Sequence, residues 1–171
     1  MDAVGDFLSD HHFIALLYPA ADKFTGGATS DVIALQNYRR ASIFVVTGAV
    51  EDAAVSNLVT ILACDDVTPT NSTAMAFNYR QCVSSATGDT WTALTAATSS
   101  GYNFSNHADM GVANTIWFAE ITAAGIESAA AGYEFFQLSV AETVDKTILA
   151  GAYAILSDPR YPGAVPVSAY S

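Results

Sequence analysis

The chain's 171 residues suffice for one domain with a single core. Hydrophobic residues at 51% beside charged residues at only 13% leave a surface that is either coated with Ser, Thr, Asn and Ala or partly buried against partners. Six Lys and Arg against seventeen Asp and Glu give a net charge of −11, which repels phosphate backbones and anionic lipid and argues against nucleic acid or a membrane surface as partner.

In chain order, the first residues are acidic and small and read as an N-terminal arm over 1–12. Met1-Asp2-Ala3-Val4-Gly5-Asp6 has no basic segment ahead of an apolar one, no apolar run reaches the roughly 18 to 20 residues of a membrane span, and the expected site of synthesis is a cytoplasm. Residues 11–18 turn apolar, Pro19 halts them, and 23–30 with Gly26-Gly27 form a loop. A short strand is expected at 32–35. Asn37-Tyr38-Arg39-Arg40 reads as a polar connection into 41–46, where Ile43-Phe44-Val45-Val46 has the β-branched and aromatic composition of a central strand.

Residues 58–64 and 74–82 read as a pair of strands joined by the turn-rich Asp65-Asp66-Val67-Thr68-Pro69-Thr70-Asn71-Ser72-Thr73. In the second, Met75, Phe77 and Tyr79 share one face and Asn78 and Arg80 the other. The polar stretch 83–113 has Gly88-Asp89 as a turn signal, Trp91 and Leu94 as expected anchors, and a long loop over 101–111. In 115–121, Ile116 and Phe118 oppose Trp117, Ala119 and Ile121, so both faces are expected to be buried. Residues 122–132 have the composition of one or two helical turns. Two apolar strands, 133–142 and 148–156, then lead into Ser157-Asp158-Pro159-Arg160-Tyr161-Pro162-Gly163 and a proline-containing C-terminal arm over 158–171. Eight or nine short strands with no long amphipathic helix predict an all-β single domain, an antiparallel β-sandwich or jelly roll with extended N- and C-terminal segments.

Chemistry-bearing patterns are weak. His11-His12 would point to opposite faces of a strand, and His107 with Asp109 lies in a distant loop, so no metal site is expected. Asp65-Asp66, with Asp89 or Glu51-Asp52, lacks the spacing of a calcium loop and fits acids that cap turn amides. Cys64 and Cys82 have no CxxC spacing and read as free, buried thiols on strands that keep them apart. No Gly-x-Ser-x-Gly, phosphate loop or GxGxxG occurs. The expectation is a protein that is not an enzyme and holds no cofactor. Tyr38, Tyr102, Tyr161 and Tyr170 are loop aromatics that could make contacts.

Four segments carry a resemblance: Ala63-Cys64-Asp65-Asp66-Val67-Thr68-Pro69, Ala76-Phe77-Asn78-Tyr79-Arg80, Asp89-Thr90-Trp91, and Ala154-Ile155-Leu156-Ser157-Asp158-Pro159-Arg160-Tyr161. Across about residues 30–163 the chain resembles small structural proteins of tailed bacteriophages, encoded beside capsid and head-completion genes. The resemblance implies a virion component, a decoration or cement protein on the capsid exterior, made in the bacterial host cytoplasm. Its partners would be the major capsid protein and copies of itself, with a homotrimer the first expectation. Low charge and high apolar content are compatible with that role, and the prolines of the C-terminal arm reduce the ordering cost of docking. The contact candidates are Asp158, Pro159, Arg160, Tyr161, Pro162 and Tyr170 in the arm, with Tyr38, Arg39 and Arg40. Alternatives are a tail, connector or receptor-binding fibre module, and a carbohydrate-binding β-sandwich using exposed tyrosines and acids.

Overall fold

The computed structural model describes Phe7 and residues 11–50, 56–82, 90–103 and 115–161; of Ala49, Val50 and Ser56 it describes the backbone alone. In chain order the strands are β1 (His12–Ala20), β2 (Ala28–Thr29), β3 (Ile33–Ala34), β4 (Tyr38–Val50), β5 (Ser56–Cys64), β6 (Ser72–Met75), β7 (Phe77–Cys82), β8 (Thr95–Ala97), β9 (Tyr102–Asn103), β10 (Ile116–Thr122), β11 (Phe135–Val144) and β12 (Ile148–Pro159). They form two sheets. One has the order β1-β12-β4-β10-β7-β8, the other β2-β11-β5-β6, with β3 also on β11 and β9 on β5. Every pairing is antiparallel, and the fold is the all-β sandwich expected from the strand pattern.

The two-residue period of a strand decides the core. Ile43 and Val45 of β4, Trp117, Ala119 and Ile121 of β10, and Ala152, Ala154 and Leu156 of β12 face inward from the first of these sheets. Val59, Ile61 and Ala63 of β5 and Phe136, Leu138 and Val140 of β11 meet them from the other. Trp117 is fully buried, and Phe77 meets it edge-on at 5.7 Å and 88°. The run Ile43-Phe44-Val45-Val46 is indeed central, held between β12 and β10.

Several boundaries differ from the sequence expectation. Residues 74–82 are not one partner of β5: only Ser72–Met75 pair with it, and after Ala76 the chain continues as β7 in the opposite sheet. Met75, Phe77 and Tyr79 keep one inward face through this switch because both sheets look onto the same core. Tyr38, Arg39 and Arg40 are the start of β4 rather than a connection, and Tyr38 is buried. Asp158 and Pro159, expected to open the C-terminal arm, end β12, where Pro159 lies opposite Tyr38; the Arg160 amide then donates to the Asn37 carbonyl at 2.9 Å. His12, placed in the N-terminal arm, begins β1 and lies opposite Leu156. Trp91 and Leu94 are exposed instead of anchoring.

The expected helical turns form a seven-residue helix, Ala123–Ala129, whose N-cap Thr122 accepts from the Gly125 amide at 3.0 Å and whose Ile126 enters the core. At Gly101 a β-carbon would collide with the Val59 carbonyl, and φ is +84°, so glycine is what lets β9 reach β5.

Candidate docking face

On the inner side of the β1-β12-β4-β10-β7-β8 sheet the sequence places apolar residues at alternate positions; on β4, β10 and β12 the intervening positions are mostly apolar too. Register lines these up. Across one row, Ala15 of β1 faces Tyr153 of β12, Tyr153 faces Phe44 of β4, Phe44 faces Phe118 of β10, and Phe118 faces Arg80 of β7. In the next row Gly151, Val46, Ile116 and Cys82 lie side by side. The rings touch in turn: Phe13 on Tyr153 at 5.5 Å, Phe44 on Phe118 at 5.1 Å, Trp91 on Phe118 at 6.1 Å. Phe13 is 51% and Trp91 39% exposed, and Val46 and Leu149 are exposed as well. An aromatic and aliphatic band therefore crosses the outside of this sheet from β1 to β10. Contiguous exposed apolar area of this kind marks interaction surfaces more than it marks free monomers.

The face is grooved. Pro19, Val46, Ile116, Leu149 and Tyr153 line one hollow, floored by Gly48 and Gly151. Phe44, Trp91, Phe118 and Arg80 line a second of about 370 Å³. A third, over β7 and β10, is more polar, with Asn78, Arg80, Glu120 and Thr122.

At the end of the band Arg40 bridges three strands: Nη1 is 2.8 Å from Glu120 of β10 and Nε 3.4 Å from Asp158 of β12. All three side chains are partly exposed, so the pairing contributes little stability and instead fixes the guanidinium within the sheet. Asp158 adopts φ +55°, a left-handed conformation tolerated at the close of the strand.

The contact candidates from the sequence are thus partly dispersed. Arg40 and Asp158 come together on this face; Arg39 is exposed on β4; Tyr38 is buried, with its hydroxyl pKa raised by burial. Arg160 lines a separate cleft with Glu127, Tyr133 and Glu134, and Tyr161 is 70% exposed. Pro162 and Tyr170 lie outside the described residues, as do Glu51-Asp52, Asp89, His107 and Asp109. Tyr102 packs on Tyr79 at 4.0 Å, and its hydroxyl is 3.1 Å from the Gln81 amide nitrogen. Phe13, Phe44, Tyr153 and Arg80 were not singled out by the sequence as contacts. The signal available was the apolar character of both faces of 43–46 and 115–121, of which only the inner face is buried.

Other chemistry-bearing groups have local roles. Asp65 accepts from the Thr70 and Asn71 amides and from the Asn71 side chain at 2.9 Å, and these bonds, led by that side chain, hold its carboxyl below its ordinary range. His11 stacks on Phe7 at 4.3 Å, and among the described residues no three His, Cys, Asp or Glu converge as a metal site. Cys64 and Cys82 are free and buried; burial, with Asp65 nearby, pushes the Cys64 thiol up to about 11.

No protein-family model and no curated protein matches the chain. Among solved structures it is similar to the SPBc2 prophage-derived protein YomS, at 12% identity and a TM-score of 0.44, over 86% of this chain and 92% of that one. It is also similar to latent apple tyrosinase, at 11% identity and a TM-score of 0.33, over 82% of this chain and 28% of that one. A third likeness is to VP2 of the infectious bursal disease virus subviral particle, at 15% identity and a TM-score of 0.27, over 94% of this chain and 44% of that one. At these scores the likenesses carry no argument about function.

Proposed function

We propose that the protein is a non-enzymatic structural component of a phage particle, a decoration or cement protein that docks on the outside of the capsid through the outer face of the sheet built around β12, β4 and β10. The observation that carries this reading is the apolar band from Phe13 through Tyr153 and Phe44 to Phe118, in which Phe13 is exposed and the other three rings are half-buried, with exposed Val46, Leu149 and Trp91 beside them. It adds to the sequence resemblance over about residues 30–163, which takes in β4, β10 and β12 of that face but not β1 with Phe13. Covering such a band contributes about 25 cal/mol per Å² of apolar surface before the cost of association. The partners are the major capsid protein and further copies of this chain, a homotrimer being the first arrangement to test.

The test is co-sedimentation with purified capsids, combined with native mass of the free protein. Wild type is expected to pellet with capsids in many copies and to raise their resistance to heat. Phe118→Asp, on the open face, is expected to fold and stay in the supernatant. Capsids that never bind the wild-type chain overturn the reading.

A further inference from the structure

We infer that the hollow formed by Phe44, Trp91, Phe118 and Arg80 is an anchor pocket for an acidic–apolar peptide segment of the docking partner, taking one apolar side chain among the rings and a neighbouring carboxylate on the guanidinium. This deepens the docking-face reading and rests on it.

Two independent observations converge. The first is shape: Phe44 is tilted 50° to Phe118, and Trp91 stands at 75° to it. The rings are therefore inclined to one another and border an open hollow of about 370 Å³, room enough for an apolar side chain. The second is charge. Among the described residues the ion pairs are those of Arg40, with Glu120 and Asp158. Arg80 lies within ion-pair distance of no described carboxylate, and its Nη1 donates to the Thr92 carbonyl at 3.2 Å. In a chain with seventeen acids and six bases, a guanidinium beside three rings with no acid partner among the described residues is complementary to an incoming anion. A saccharide fits less well, because the hollow offers one polar side chain for several ring hydroxyls, and unmet polar groups oppose binding.

The test uses the full chain, isotope-labelled, with three probes: N-acetylphenylalanine, its uncharged amide, and glucuronate. N-acetylphenylalanine is expected to shift the Trp91 indole signal while leaving that of Trp117, which is buried in the core, in place. It should bind about tenfold more tightly than the amide, the scale of a charge-assisted hydrogen bond. Arg80→Gln should abolish that preference, and Arg80→Lys should restore part of it. Equal binding of acid and amide, no binding of either, or a shift by glucuronate alone each overturns the pocket assignment. Loss of capsid binding with an intact response to N-acetylphenylalanine would instead remove the virion role and leave the pocket standing.

Discussion

The two outer faces of the sandwich begin alike and finish differently. On the sheet built around β11 and β5, Phe135 and Cys64 sit opposite each other and point away from the core, as Phe44 and Phe118 do on the sheet built around β4 and β10. Phe135 is nevertheless only 9% exposed, because the chain closes over it with Val32 just before β3, Ala34 of β3, and Val67 from the loop that Asp65 ties down. No described segment does this for Phe13 or Trp91. One face is completed by the chain's own residues, whereas on the other the described residues leave Phe13 and Trp91 exposed. An outward aromatic is thus not in itself a docking residue; what matters is whether the chain supplies its cover.

This contrast can be broken or sharpened by substitution and pH. Phe136→Ala, inside the sandwich, sets the scale: a loss of about 3–5 kcal/mol in urea unfolding is expected for a fully buried ring. Phe135→Ala should cost about 2–4 kcal/mol if its covered face is a true second core, and a cost near zero would erase the difference between the faces. Because the folded state raises the Cys64 pKa from 9.0 to about 11, its contribution is complete below pH 9 and lost as pH rises towards 11. Cys64→Ser should flatten that alkaline fall. Asp65 has the opposite sign: its lowered pKa means support that is present at neutral pH and lost in acid, so Asp65→Asn should weaken the acid dependence of the covering loop, read by amide exchange at Asn71. On the open face, a double-mutant cycle of Arg40→Ala with Glu120→Ala should give a coupling below about 1 kcal/mol that shrinks in salt. Smallest of all, Phe13→Ser should change stability by no more than about 0.5 kcal/mol while weakening capsid attachment. A large destabilisation by Phe13→Ser would show that this face, too, is part of the fold.

Much of the architecture was legible because side-chain alternation is a local property. Trp117, Ala119 and Ile121 against Ile116 and Phe118, or Phe136, Leu138 and Val140 against Phe135, can be sorted into faces from spacing alone. The turn role of Asp65 was legible for a similar reason, since a short side chain in a turn meets nearby amides first. Tyr38 and Arg40 were misplaced because a polar composition describes a loop and the end of a strand equally well. The docking face was only half legible: apolar character on both sides of a strand indicates two coverings, but not whose.

The sequence by itself therefore determined the class of fold and, within the strands it marked, which residues share a face, both consequences of a two-residue period acting on apolar side chains. Only the tertiary structure decided that the chain changes sheets at Ala76, that Phe135 is covered while Phe13 and Trp91 are not, and that Arg80 stands among three rings. These depend on pairings between distant strands, such as β4 with β12 or β5 with β11, whose partners are chosen by the packing of the whole core and leave no spacing signal in any one segment.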